Sequence, residues 1–315
     1  MAKPSKVDLV GVGLNATDTV IPLSTYPTRG SKTEYSTVST LPGGQVATTV
    51  VACQHWGLRT RYIGKLGDDL AATLHREAFA HAGVETRILT VPGGASAQSL
   101  ILVDAQGERT VLIRRDERLA LHPADLDRDS IINARALHVD GYDTEAAILA
   151  ATWAREAGIP VIADLDELYP NVEALIANVD YLIVSRDFPS RLTAEPDLEQ
   201  ALRKMQRRYS CRLAAATLGQ EGVLAFDGKR LLHTPAYCVP VVDTTGAGDI
   251  FHAGFIYALL EDWPLDRQLD FACAAAALNC TAVGARGGIH SLDDIANLIA
   301  TGTHYPTTAH ASTLS

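Results

Sequence analysis

Short runs of β-branched and aliphatic residues alternate along the chain with Ala- and Leu-rich stretches of helical period. Unalternated apolar runs at Val7–Val12, Arg61–Gly64, Ala136–Val139, Ile159–Ala163, Tyr181–Val184 and Leu213–Thr217 predict strands buried on both faces. Between them, Ala47–Trp56, Leu70–Ala82, Thr144–Ala157, Asn171–Ala177, Leu198–Arg208 and Ile250–Glu261 predict helices. Gly57, Gly83 and Gly158 stand where three of those helices should end. Strands separated by helices imply an α/β fold, a mostly parallel sheet covered on both faces.

Two segments break the rhythm. Residues 15–41 are rich in Thr, Ser and Tyr without helical period, and residues 96–115 read as a hairpin, Gln98–Val103 and Arg109–Ile113 about a turn at Asp104–Gly107. Both read as β-structure inserted into the α/β body and suit a lid over a cleft. The expected division is therefore a body of residues 1–14, 42–95 and 116–315, with a lid of 15–41 and 96–115. The tail from Thr301 to Ser315 is polar and expected to fray.

Composition narrows the class. The chain has 315 residues, 47% hydrophobic and 20% charged, which suits a sizeable core and excludes a disordered chain. Its formal charge of −10 argues against nucleic acid or an anionic membrane as a partner. The cysteines, Cys53, Cys211, Cys238, Cys273 and Cys280, form no C-x-x-C pair, so neither a zinc site nor a disulfide framework is indicated. The apolar run after Met1–Lys6 is too brief for a signal peptide, and Phe271–Leu278 is far shorter than a membrane span. A cytoplasmic protein is expected.

Gly11-Val-Gly13-Leu-Asn-Ala16 fits a dinucleotide-binding fingerprint, but the β-branched, proline-stopped Thr17–Pro22 that follows is a poor helix. A dehydrogenase requires that helix. Tight packing at a strand end accounts for these glycines instead.

The strongest signal is Asp243-Thr-Thr-Gly-Ala-Gly-Asp249, which runs straight into an apolar helix. First-turn N–H groups lack intrahelical partners and, with the positive end of the helix dipole, form a pocket for a phosphate. Glycine at 246 and 248 lets a ligand approach the backbone. A carboxylate is electrostatically unfavourable beside a phosphate, so Asp249 needs a reason: a base that takes a proton from an attacking hydroxyl. A helix-start acid of purely structural value is the plainer alternative.

This motif resembles the C-terminal signature of the ribokinase-like (PfkB) carbohydrate and nucleoside kinases. Gly43-Gly44-Gln-Val-Ala-Thr-Thr, Tyr62-Ile-Gly-Lys-Leu-Gly-Asp-Asp69 and Thr217-Leu-Gly-Gln-Glu-Gly222 resemble further blocks of that family, in order, over roughly residues 7–300. The resemblance implies a ribokinase-like fold with a small β-sheet lid and transfer of phosphate from ATP, with Mg2+, to a sugar hydroxyl. Asp249 would be the base, with Gly246, Ala247 and Gly248 as the anion hole. Asp18, at the end of the first strand, would bind sugar hydroxyls with Gly43, Gly44 and Thr48. Ser185, Thr217, Gly219, Gly222, Thr244 and Asn279 would face the nucleotide, Asn279 bordering the adenine. Asp243 and Thr245, with carbonyls around Ala282–Gly288, match positions that often hold a monovalent cation, so K+ is a candidate.

The chain departs from the family at two places. Thr48 stands where the family has Asn, and Ser185-Arg-Asp-Phe188 where it has N-x-x-E near Mg2+ and the phosphates, with Asp187 a partial replacement. Leu137-His-Val-Asp-Gly141 and Cys280–Ile289 resemble ketohexokinase-like branches and bacterial kinases of modified ketohexoses. Arg115, beside Arg114 at the end of the hairpin, is a candidate for an anionic group on the substrate; a merely solvated charge is the alternative. His138 and His252 lack metal-ligand spacing and read as core histidines. A nucleoside kinase would need a base-stacking pocket near the lid, where no aromatic residue occurs between Gly83 and Ala136. A catalytically silent sugar or nucleotide sensor is the alternative from another class. Pairing of two chains through the lid is a further expectation.

Overall fold

Leu9, Val10 and Val12 are fully or almost fully buried, as a strand at the centre of a doubly covered sheet must be. In the computed structural model, which describes residues 6–105 and 109–306, these residues form β1 (Leu9–Val12). The expectations for the N-terminus, the hairpin turn and the polar tail fall partly outside the described residues. The strands that follow are β2 (Ala16–Pro22), β3 (Ser39–Gly43), β4 (Thr60–Leu66), β5 (Glu85–Thr90), β6 (Gln98–Val103) and β7 (Arg109–Arg114). Later in the chain come β8 (Ala136–Asp140), β9 (Val161–Leu165), β10 (Tyr181–Ser185), β11 (Leu213–Thr217), β12 (Val223–Phe226) and β13 (Leu231–Thr234).

A nine-stranded sheet has the order β13-β12-β11-β10-β9-β8-β1-β4-β5. Leu9 pairs with Thr60 on one side and Ala136 on the other, and the strands from β5 to β11 run parallel. Among the described strands of this sheet only β12 runs the other way, antiparallel to both β11 and β13. The chain steps outward in opposite directions from β1, so the strand order switches between β1 and β8. In an open parallel sheet, that point at the carboxyl ends is where a ligand binds.

Helices cover both faces. On one lie α1 (Gln45–His55), α2 (Leu70–Ala82), α8 (Ala247–Leu260), α9 (Leu265–Asn279) and α10 (Leu292–Thr301), which share a core around Val50, Phe79, Phe255 and Ile295. On the other lie α3 (Arg128–Ile132), α4 (Thr144–Glu156), α5 (Val172–Ile176), α6 (Phe188–Thr193) and α7 (Leu198–Tyr209), around Ile131, Ala150, Leu175, Phe188 and Met205. Asp69 caps α2 by accepting from the Ala72 N–H, and Gly83 ends it in the left-handed conformation, φ 76°. Among the described residues no helix is long and apolar enough to cross a membrane.

The second sheet has the order β3-β2-β6-β7, with β2 and β6 parallel. It contains the two inserted segments and also Pro42 and Gly43, because Ala16 pairs with Gly43. The chain passes from β1 to β2 through only Gly13, Leu14 and Asn15, so the loop after Gly11 leads into a strand and opens no helix. That removes the dehydrogenase alternative. It also corrects the placement of Asp18, which lies inside β2 of the second sheet and not at the end of the first strand.

Arg61 is a fully buried cation of β4. Its Nε and Nη2 donate to the Glu85 carboxylate at 3.0 and 3.1 Å, and Nη1 donates to the Ser130 carbonyl at 2.6 Å, tying the sheet edge to α3. Arg61→Met leaves that carbonyl unpaired and is expected to cost about 3 kcal/mol. Urea unfolding should show this as a lower midpoint at unchanged slope.

Candidate active site

Two helices start at one place. α1 begins after Gly43-Gly44 and α8 after Thr245-Gly246, and neither start has a capping side chain. Their bodies are packed together: the Thr49 hydroxyl lies 3.0 Å from the Asp249 carbonyl oxygen, and Cys53 Sγ lies 3.5 Å from that of Ala253. Both positive dipole ends therefore face the same space, where they favour an anion.

The glycines are there for different reasons. Gly44 has φ 91°, and a Cβ on it would sit 2.5 Å from Asn15 Cα and 2.7 Å from Leu14 O. Gly246, at φ 76°, packs against Ala285, so the turn before α8 is bolted to the loop after α9. A Cβ on Gly248 would meet nothing within 4 Å, so the space beside it is left for a ligand. The Ala247 N–H already donates to the Thr244 carbonyl at 3.3 Å. That removes the Ala247 amide from the expected anion hole; among the described residues the Gly246, Gly248 and Asp249 amides donate no such bond.

Asp249 lies in the first turn of α8, surrounded by protein with part of its surface open to the cleft. Burial pushes its carboxyl up to about 8, reinforced by Asp164 and Asp18 and opposed by His252 and Arg286. Asp18 is buried, and its carboxylate packs directly against Gly43, where a Cβ would collide with it. Burial pushes Asp18 up to about 6, opposed by a hydrogen bond from Ser99 and by Arg286. Gly43 thus makes room for Asp18.

Arg286 is a site residue the sequence reading missed. Its Nη2 donates to the Gly43 carbonyl at 2.9 Å, its Nε lies 3.3 Å from Thr48 Oγ1, and its buried Nη1 has no partner among the described residues. Burial lowers the guanidinium to about 10, against the pull of Asp249, Tyr62 and Asp18. The Thr48 hydroxyl is thus engaged by Arg286, so the short side chain at 48 makes room for a guanidinium. The only signal in the sequence was one arginine in the small-residue run Val283-Gly-Ala-Arg-Gly-Gly288.

Asp243 acts as a clamp. Oδ1 accepts from the Thr245 N–H and hydroxyl at 2.9 and 2.7 Å, and Oδ2 accepts from the Gly284 N–H at 2.8 Å. These bonds fix the Asp243 carboxylate and the Thr245 hydroxyl, so a K+ ion there would share these oxygens with the turn. Asn279 is fully buried and donates to the Thr245 carbonyl at 3.1 Å. It holds the turn, and Ala276, Ala277 and Cys280 take the cavity-lining place expected for it.

Beside the start of α8 lies a largely apolar cavity of about 400 Å3. Thr217, Gly219, Gly222, Thr244 and Gly248 line it, together with Val239, Val241 and Phe251. Ser185 is not on that wall; its hydroxyl donates to the Asp166 carbonyl at 3.3 Å. Arg115 lines a second cavity, above the carboxyl ends of β1, β4 and β8, with Asn15, Lys65, Tyr142 and Asp143. Its guanidinium lies 4.0 Å from the centre of the Tyr142 ring. His138 and His252 are buried core histidines; His252 Nδ1 is 2.9 Å from the Gly248 carbonyl and 3.5 Å from Asp164 Oδ2. Among the described residues no three His, Cys, Asp or Glu side chains converge on a metal site. Mg2+ beside a nucleotide takes most of its oxygens from phosphates and water.

Free helix amides for a phosphoryl group, a raised carboxyl for a hydroxyl proton and an apolar slot for a base are what a small-molecule kinase needs. The chain belongs to the pfkB family of carbohydrate kinases, whose profile matches residues 12–292. It is 30% identical to the ATP-dependent ribose-1-phosphate kinase of Halopiger xanaduensis, over 78% of this chain and 82% of that protein. It is 28% identical to the 5-dehydro-2-deoxygluconokinase of Geobacillus kaustophilus, over 78% and 80%. The structure of Arabidopsis thaliana ribokinase complexed with ribose and ATP aligns at TM-score 0.80 with 25% identity, covering 93% and 98%. The protein is therefore a carbohydrate kinase with a ribokinase-like α/β fold.

A carboxyl whose pKa is raised on folding destabilises the fold as pH climbs from its unfolded value through its folded one, and fully above that. Asp249→Asn removes the penalty. It is expected to raise Tm by a few degrees at pH 8, with little change at pH 4, while turnover falls more than a thousandfold. Arg286→Met removes a cation that favours ionised Asp249, so the rising limb of the kcat/KM–pH profile should move to higher pH. Arg286→Lys should largely restore it.

Proposed function

We propose that this kinase transfers the γ-phosphoryl group of ATP to a primary hydroxyl of a ketohexose or a ketohexose derivative. The carrying observation is geometric: Arg286 bonds the carbonyl of Gly43, the glycine packed against the Asp18 carboxylate, and the adjacent Ala285 packs on Gly246 at the start of α8, which carries Asp249. Asp18 with Gly43 orients the sugar hydroxyls, since a carboxylate accepts from two neighbours at once. Asp249 accepts the proton of the attacking hydroxyl. The Gly248 and Asp249 amides receive the transferred group, and Thr217, Gly219, Gly222 and Thr244 hold the nucleotide. Positioning and electrostatics supply most of the rate, with the second sheet as a lid that excludes water. When bound with the nucleotide, Mg2+ neutralises charge on the β- and γ-phosphates.

The ketohexose assignment rests on the segments Leu137–Gly141 and Cys280–Ile289. A nucleoside acceptor is disfavoured because Tyr142, the aromatic ring lining the cavity near the second sheet, has its face covered by Arg115. That arginine is the candidate contact for a charged substituent on the sugar. Exposed Val111, Leu112 and Ile113 on β7 support pairing of two chains through this sheet.

The test is ADP release with MgATP and a panel of ketohexoses, aldoses, sugar acids, sugar phosphates and nucleosides. Turnover is expected with a ketohexose or derivative, rising with pH to a plateau above about 8, as Asp249 ionises in the free enzyme. Turnover only with nucleosides overturns the acceptor class. Tight sugar binding without turnover on any acceptor, in MgATP, indicates a sensor.

A further inference from the structure

After α10 the chain turns back across residues 235–238. The Cys238 N–H donates to the Thr303 carbonyl at 2.7 Å, and the Tyr305 N–H donates to the Ala236 carbonyl at 2.9 Å. His304 Nδ1 lies 2.9 Å from the Pro235 carbonyl oxygen, and its ring centre lies 4.0 Å from that of Tyr237. Tyr237 is buried and anchored by its hydroxyl, which donates to Asp270 Oδ1 at 2.7 Å. This crossing carries Tyr305 onto the wall of the apolar cavity beside the α8 start.

Three aromatic rings line that cavity: Tyr237, Phe251 and Tyr305. His304 lies against Tyr237, and Phe251 is buried edge-on to His252. Tyr305 is half-buried and packs on no other aromatic ring among the described residues. The rest of the wall is small or aliphatic apart from Gln220 and offers no other aromatic surface. We propose that Tyr305 is the surface on which the purine base of the nucleotide stacks, so that the C-terminal crossing completes the donor site. The inference rests on the nucleotide reading of this cavity.

Equilibrium binding of MgADP to the full chain tests it, with inorganic tripolyphosphate as a probe that has phosphates and no base. Base stacking on an aromatic ring is sizeable, so Tyr305→Ala should weaken MgADP about tenfold. Tyr305→Phe should stay within twofold, and tripolyphosphate should bind both variants as it binds the unaltered chain. With an acceptor in hand, Tyr305→Ala should raise KM for ATP with kcat nearly unchanged. MgADP affinity within twofold in Tyr305→Ala overturns the assignment, as does an equal loss in Tyr305→Phe. A parallel loss of tripolyphosphate binding also overturns it, because the phosphate end would then have collapsed. Failure of the unaltered chain to bind MgADP overturns the nucleotide reading itself and this assignment with it.

Discussion

Asp18 and Asp249 are carboxyl groups enclosed by protein at the place where a polyanion has to be received, and most of the site answers that electrostatic conflict. Burial is the main reason both carboxyls titrate high; Asp164 and then Asp18 add to it at Asp249, and Asp243 adds to it at Asp18. Two helix starts aim partial positive charge into the same space. Arg286 adds a full one. Its position is set at a distance: Asp243 holds the Gly284 N–H, and Gly246 packs on Ala285, so the turn before α8 and the loop after α9 move as one piece. The D-T-T-G-A-G-D run thus places Asp249 and also, through its first aspartate, the loop that carries Arg286.

Much of this was legible from residue pattern alone. The buried runs that became β1 and β8 to β11 have no alternation, which marks strands covered on both faces. The Gly-bounded start of α8 was legible because an apolar helix following two glycines allows few other geometries. The edge strands β5 and β13 and the neighbouring β12 were missed, being short or bordered by polar residues, with Leu89 exposed in β5. Arg286 could not be placed because its partners, Gly43 and Thr48, lie 243 and 238 residues away. Only the packing of α1 against α8 makes them neighbours. Asn279 misled for a related reason: helical spacing puts it on α9 near the cavity but does not say which face turns inward.

The two carboxyls belong to different bodies. Asp18 rides on β2 of the second sheet, whereas Asp249 is fixed in α8 on the main sheet. Arg286 spans the seam, touching the carbonyl of Gly43 at the end of β3 and the hydroxyl of Thr48 in α1. Any shift of one sheet against the other changes the distance between the Asp18 and Asp249 carboxyls, and it is felt at these two contacts. The passages from β1 to β2 through Gly13–Asn15 and from β3 to α1 through Gly44 leave little slack for such a shift.

A carboxyl held at high energy needs a support that cannot relax around it. Helix α8 supplies one. Ile250, Phe251, Ala253, Phe255, Ile256 and Ala258 are all buried, so the helix is enclosed on nearly every side. Ala272 Cα lies so near Gly254 that a Cβ there would sit 2.9 Å away, and α8 and α9 therefore pack backbone against backbone. A polar helix with a solvent face could tilt and let Asp249 reach water, lowering its pKa. The unbroken apolar stretch after Asp249 thus converts core packing into a fixed, poorly solvated carboxyl.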